Sequence, residues 1–210
     1  MKRARGVLLL LNGELREPRV VARLARTADI ILCADGGARH AETLGVVPDF
    51  VVGDMDSLPH PRPKAWSRTD YRRDPDENRS DLDKALDFLK ILGRVRVFVA
   101  GALGGGLDHE LVNLAVLEKR AAGRDLVVIG GGAARLLGRG RHRLDLRTGE
   151  RFSLLAAPSA LVTLTGARYP LRRERLLRGS RGLGNRSSGR TVLTVSRGRV
   201  WLVVDAARLG

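Results

Sequence analysis

The sequence predicts an α/β fold: an N-terminal α/β domain on a mostly parallel sheet, followed by a C-terminal all-β sandwich. Three observations carry this. Over the first ~130 residues, short apolar runs alternate with helical patterns, the mark of βαβ units. Those runs are β-branched and apolar without alternation, as expected where helices cover both faces of a parallel sheet. After Gly130-Gly131-Gly132 the helical period disappears, and short runs punctuated by Gly, Arg and Ser take over. The predicted domains are 1–132 and 133–210.

In order, the first domain has strands at 7–11, 30–34, 50–52, 95–100 and 126–129, with helices at 20–28, 38–44, 80–92 and 109–122. Three prolines make 59–63 a loop. A charged stretch, 74–79, reads as a second loop. Ser80 is a good N-cap, with Leu82, Ala85, Leu86 and Leu89 on one helical face. Asp83 and Asp87 then fall on the solvated face. In the second domain, strands are expected at 134–137, 142–146, 152–155, 161–165, 191–196 and 200–204. The Arg-, Gly- and Ser-rich segment 172–190 reads as a long loop.

Composition narrows the function. A chain of 210 residues with 43% hydrophobic content can bury a sizeable core. The formal charge of +15 admits nucleic acid, a membrane surface or small anions as partners. Lysine occurs only at Lys2, Lys64, Lys84, Lys90 and Lys119, so the excess is arginine, spread along the chain. Aromatics at 4% argue against a base-stacking platform, so no nucleic-acid partner is expected. No apolar run approaches the ~20 residues that cross a bilayer, so no membrane partner is expected either. The run at 7–11 is short and lacks a cleavage site, so it reads as a first strand rather than a signal peptide. The single cysteine, Cys33, precludes an internal disulfide and fits a reducing cytoplasm. It lies in an apolar run and reads as core.

In an open parallel sheet, ligands bind beyond the carboxyl ends of the strands. Four polar clusters fall there. Asp35-Gly36-Gly37 follows the strand at 30–34, and Asp54 and Asp56 follow the strand at 50–52. Ser80-Asp81 opens a helix, and Gly101-Ala102-Leu103-Gly104-Gly105-Gly106-Leu107-Asp108-His109 follows the strand at 95–100. In extended backbone, Asp54 and Asp56 aim to one side, where like charges repel unless a cation such as Mg²⁺ lies between them. Taken alone, that stretch reads equally as a solvated turn. The glycine run leading into a helix offers N–H groups to phosphate, but it is neither a Walker nor a dinucleotide motif. His109 reads as structural as readily as a general base. Four clusters on one rim favour a Mg²⁺-dependent enzyme acting on a phosphorylated nucleotide.

These motifs, in this order, resemble the thiamine pyrophosphokinase (thiamine diphosphokinase) family. So do Leu164-Thr165-Gly166-Ala167-Arg168-Tyr169-Pro170-Leu171, Gly179-Ser180-Arg181-Gly182-Leu183-Gly184-Asn185 and Gly198-Arg199-Val200-Trp201. The resemblance implies a Rossmann-like ATP- and Mg²⁺-binding domain, a β-sandwich thiamine domain, and a homodimer with active sites between subunits. It implies ATP + thiamine → AMP + thiamine diphosphate. Asp54, Asp56 and Asp81 would hold Mg²⁺ and the phosphates, with Asp35 beside them as a fourth catalytic carboxylate. Ser80, Gly104 and Gly105 would contact the nucleotide, with Asp108 near it. Ser180 and Asn185 would face thiamine, and Trp201 would cover its rings or lie in the sandwich core. The chain departs from the family pattern at Gly106 (usually arginine), Arg39 (usually asparagine), Glu77, Asn78, Gly184 and Arg186. Arg79 or Arg39 could replace the missing cation. A pyrophosphokinase for another alcohol, such as a pterin, and an arginine-rich nucleic-acid-binding protein are the alternatives.

Overall fold

The computed structural model describes residues 5–93, 95–120 and 125–209. Two compact units are present, dividing between Gly131 and Gly132.

The first unit is a parallel sheet with helices. Its elements are β1 (Arg5–Leu10), α1 (Pro18–Thr27), β2 (Ile30–Ala34), α2 (Ala38–Thr43), β3 (Phe50–Gly53) and β4 (Asp70–Arg73). They continue with α3 (Asp81–Phe88), β5 (Val95–Ala100), α4 (Leu107–Arg120) and β6 (Asp125–Ile129). The strands lie in the order β6-β5-β1-β2-β3-β4, and every neighbouring pair is parallel. β1 and β2 are buried almost throughout, which is why their sequences show no alternation. From β1 the chain steps outward through β2, β3 and β4, then returns to place β5 on the other side of β1. The switch point of the sheet is therefore between β1 and β5.

Helix α1 starts at Pro18, whose missing N–H costs nothing there, and buries Val20, Val21, Leu24 and Ala25. Helix α3 is capped by Ser80, whose hydroxyl accepts the Asp83 N–H at 3.3 Å. Phe88 meets Phe50 with ring centroids 4.8 Å apart, fixing α3 against β3. α3 is shorter than the predicted 80–92 helix, and α4 begins two residues before the predicted 109. The predicted end of that helix, at Ala122, lies outside the described residues. Among the described residues, no helix is long and apolar enough to cross a membrane.

The second unit is the predicted β-sandwich, with longer strands than expected. β7 (Ala133–Leu137) and β8 (Gly140–Arg143) both pair antiparallel with β11 (Asn185–Val204). β9 (Arg151–Ala167) pairs with β10 (Leu171–Leu177) and β11. From Val192 opposite Thr165 to Val203 opposite Ser153, numbering falls on β9 as it rises on β11, so the two strands run in opposed directions there. The expected strands at 152–155 and 161–165 are one strand, as are those at 191–196 and 200–204. The segment 172–190, expected as a loop, is β10, a turn and the start of β11. Arg172, Arg173 and Arg175 occupy exposed positions on β10 while Leu171 and Leu176 point inward. The core is formed by residues such as Phe152, Leu154, Leu164, Leu176, Leu193 and Val200.

Candidate active site

The site is built at the rim where the parallel strands end. β2 delivers Asp35, which has φ 38° and is only 3% exposed. β3 ends at Gly53, and the next three residues turn sharply because Met55 adopts φ 75°. The Asp56 N–H donates to Asp54 Oδ1 at 3.3 Å, and the Ser57 hydroxyl donates to Asp56 Oδ1 at 2.8 Å. Arg39 Nε donates to the Ser57 carbonyl at 3.0 Å and anchors the far end of this turn. Asp35, Asp54 and Asp56 each bring a carboxylate oxygen within 4.8 Å of the others. The expected convergence of Asp54 and Asp56 therefore arises, but through a left-handed turn rather than extended backbone.

The third member of this cluster is Asp35, and Asp81 is not one of the three. Asp81 stands in the first turn of α3, close enough for Asp35 and Asp54 to act on its ionisation. Burial raises the Asp81 pKa, the Asp35 and Asp54 charges add to that, and Lys84 opposes them. Burial likewise raises the Asp35 pKa, with the Asp54 and Asp56 charges adding and the nearby Ser57 hydroxyl opposing. Asp35 Oδ1 is buried and has no hydrogen-bond partner among the described residues. An orphaned, charge-crowded carboxylate oxygen is the feature a divalent cation would satisfy.

Beside the cluster lies a cleft of about 480 Å³. Asn12 and Gly13 after β1, and Gly101 and Ala102 after β5, line it at the sheet's switch point. Asp54, Ser80 and Asp81 line its acidic side. The His40 ring bonds the Gly13 carbonyl at 2.8 Å and the Gly13 N–H donates to Gly101 O at 3.0 Å, so the two loops are held together. Asn113 donates to the Ala102 carbonyl at 2.9 Å from α4.

Several sequence-expected contacts are placed differently. The Gly104 N–H donates to Glu110 Oε1 at 2.6 Å, and its carbonyl accepts the Glu14 N–H at 3.1 Å. Gly104 is thus bonded within the protein, whereas Gly105, Gly106 and His109 line the cleft. Asp108 is exposed on α4 and does not line it. Asp83 and Asp87, expected on a solvated face, hold Arg120 through bonds of 2.8, 2.9 and 3.3 Å.

Lys84 is the main residue that sequence reasoning missed. Its side chain is 2% exposed, lines the cleft and stands 3.5 Å from Asp81 Oδ1. Its position three residues after Asp81, between the apolar Leu82 and Ala85, was the available signal. Asn12 and Gly13 were legible only as the residues following a strand on the same rim.

In the second unit, a concavity of about 310 Å³ is lined by Tyr169, Leu171, Ser180, Arg181, Leu183 and Asn185. The buried Asn185 amide accepts the Tyr169 N–H at 3.1 Å and the Arg186 N–H at 2.9 Å, and donates to the Tyr169 carbonyl at 2.8 Å. It shapes the concavity from behind. Arg181 pairs with Glu174 through bonds of 2.7 and 3.0 Å, tying the 178–184 turn to β10. Trp201 is 5% exposed on β11, opposite Leu136 and Leu155, and is not among the lining residues.

Known proteins resemble the chain over most of its length. Thiamine pyrophosphokinase 2 of Arabidopsis thaliana is 28% identical over 197 residues, covering 80% of this chain and 73% of its own. Thiamine pyrophosphokinase 2 of Oryza sativa subsp. japonica is 27% identical over 206 residues, covering 82% and 75%. The crystal structure of thiamine pyrophosphokinase from Bacillus subtilis shares the fold, with a TM-score of 0.80 at 19% identity over 96% of this chain and 99% of its own. The model of the thiamin pyrophosphokinase catalytic domain matches residues 21–129, more than half of the sequence and most of the unit that bears the carboxylates, so the chain belongs to the thiamin pyrophosphokinase family.

Proposed function

We propose that the chain transfers the terminal pyrophosphoryl group of ATP to the primary hydroxyl of thiamine, in the first unit's cleft. The thiamine oxygen bonds the β-phosphorus and the bond from that phosphorus to the α-phosphate oxygen breaks. AMP leaves and the hydroxyl proton is released. The observation that carries this reading, in a chain of this family, is the carboxylate cluster with its orphaned Asp35 oxygen beside a switch-point cleft.

An all-oxygen donor set fits Mg²⁺, so Asp35, Asp54 and Asp56 would hold it, with Asp81 beside them. Bound there, Mg²⁺ would neutralise phosphate charge. The remaining work is positioning, the main contribution a protein makes to phosphoryl transfer. Lys84 offers a fixed ammonium on the phosphate side. Ser80 and Gly105 line the same cleft, whereas the contact expected of Gly104 passes to its neighbours. The second unit's concavity suits thiamine: Tyr169 is more than half exposed and its ring already attracts a cation, the Arg168 guanidinium 5.4 Å from its centroid, which a cationic heterocycle would displace or oppose across the ring, and Ser180 offers a hydroxyl. Asn185 acts by holding that wall in shape. The burial of Trp201 supports a core role over ring stacking.

A homodimer is part of this reading. Helix α4 leaves Leu107, Leu111 and Val112 more than half exposed, on the helix that also supplies His109 and Asn113 to the cleft. A second copy covering that face would bury apolar surface next to the site.

The reading is tested by incubating the protein with ATP, thiamine and Mg²⁺ and separating the products. AMP and thiamine diphosphate in equal amounts are expected. ADP would contradict it, as would turnover of a pterin alcohol in place of thiamine.

A further inference from the structure

We propose that Arg79 is the guanidinium that grips the nucleotide's triphosphate, exchanging its contacts on α3 for phosphate oxygens when ATP enters. This rests on the pyrophosphokinase reading above. The cleft is short of positive charge. Asp54, Glu77 and Asp81 line it and Asp35 and Asp56 stand beside it, while Lys84, its buried lysine, faces Asp81. A triphosphate adds more negative charge. The glycine turn at Gly105 and Gly106 brings no side-chain cation. Arg39 donates to the Ser57 carbonyl on an exposed face and does not line the cleft. Arg120 is bonded to Asp83 and Asp87 and does not line it either. Arg79 does.

Its present partners make the exchange inexpensive. Arg79 bonds the Asp87 carboxylate and the Asp83 carbonyl, the latter at 3.2 Å, and lies 3.5 Å from Asp74. Asp87 also pairs with Lys90 at 2.5 Å and Arg120 at 2.9 Å, so it keeps two cations when Arg79 leaves. No buried carboxylate is stranded, which is the usual cost of breaking such a pair. The move is also short in chain terms. Arg79 directly precedes the Ser80 cap, and its loop is pinned beside Asp54 by the Asp74 N–H bonding Gly53 O at 2.8 Å. Arginine's fork suits bidentate phosphate contact better than a point charge does.

The test is equilibrium binding of a non-hydrolysable ATP analogue and of AMP, each with Mg²⁺, to the full chain and to Arg79→Ala and Asp87→Asn. Arg79→Ala is expected to weaken the analogue roughly 10- to 100-fold and leave AMP unchanged, as the loss of a charged hydrogen-bond pair to the terminal phosphates. Asp87→Asn, which loosens the resting contact, is expected to leave analogue affinity equal or higher. Equal weakening of AMP and analogue by Arg79→Ala, no weakening of either, or an Asp87→Asn loss matching that of Arg79→Ala would each overturn the proposal. The comparison needs no acceptor. A wild-type chain that makes no AMP from ATP and thiamine therefore sinks the reaction assignment without touching this result.

Discussion

A Cβ on Gly53 would lie 2.7 Å from the Cβ of Asp35, so these residues can be neighbours only while position 53 has no side chain. The glycine that ends β3 is what lets Asp35 join Asp54 and Asp56. Gly53→Ala must push the Asp35 backbone away. It is expected to cost about 1–3 kcal/mol of stability and to lower turnover far more than that loss of folded protein explains. Denaturant unfolding alongside an AMP-release assay measures both.

The cluster itself should be expendable for folding and indispensable for chemistry. Asp54→Asn and Asp56→Asn each remove one oxygen donor from an exposed or half-buried turn. Turnover is expected to fall by about 10²–10³-fold or more, with the melting temperature within a few degrees of wild type. Chelating divalent ions from the wild-type enzyme should give the same loss, reversed by adding Mg²⁺.

Asp35 carries a raised pKa because it is buried and faces two other carboxylates. Its charged form is therefore penalised in the folded state, so the folded protein binds that proton more tightly than the unfolded chain. The metal-free protein loses stability as pH rises from the ordinary aspartate range through the raised Asp35 pKa, and regains it as pH falls back. Asp35→Asn is expected to melt higher than the metal-free wild type at neutral pH, with the gain shrinking toward acid pH as wild-type Asp35 protonates. Melting curves across pH read this directly. Mg²⁺ should raise the wild-type melting temperature and leave the variant's nearly unchanged.

Much of this was legible in the residues. Unalternating β-branched runs gave away the parallel strands, and the acidic clusters at strand ends gave away the rim. What stayed hidden depends on tertiary context. β4, Asp70-Tyr71-Arg72-Arg73, is a polar edge strand with no apolar run to announce it. The apolar runs at 152–155 and 161–165 read as two strands, but β9 continues through Pro158 and Ser159. The exposed arginines of β10 masked a strand whose inward residues are only Leu171 and Leu176. The Arg120 bonds to Asp83 and Asp87 span 37 and 33 residues, so no local pattern could place those acids. Asp35's place in the cluster, ahead of Asp81, follows from the β2–β3 register and the bare Gly53, neither of which a motif records.

In the second unit, two of the three Asn185 hydrogen bonds hold the chain at Tyr169, and the third accepts the Arg186 N–H. Asn185→Ala leaves the Tyr169 N–H and C=O without their partner. It is expected to cost about 2–4 kcal/mol and to raise the KM for thiamine while leaving that for ATP nearly unchanged. Steady-state kinetics with each substrate varied, plus a melting curve, separates the two effects.

The α4 face offers a test of assembly. Leu111 is 60% exposed, and Leu111→Glu places a charge where a second copy would bury apolar surface. Sedimentation is expected to show wild type as a dimer and the variant as a monomer, with activity falling in step.

The most direct test of the central claim is a crystal structure with Mn²⁺ in place of Mg²⁺ and a non-hydrolysable ATP analogue, using the anomalous signal to find the metal. The expected result is a metal peak bonded to Asp35, Asp54 and Asp56, with the analogue's phosphates against it and its body along the cleft between the ends of β1 and β5. A metal and nucleotide bound elsewhere, with those three carboxylates touching neither, would contradict it.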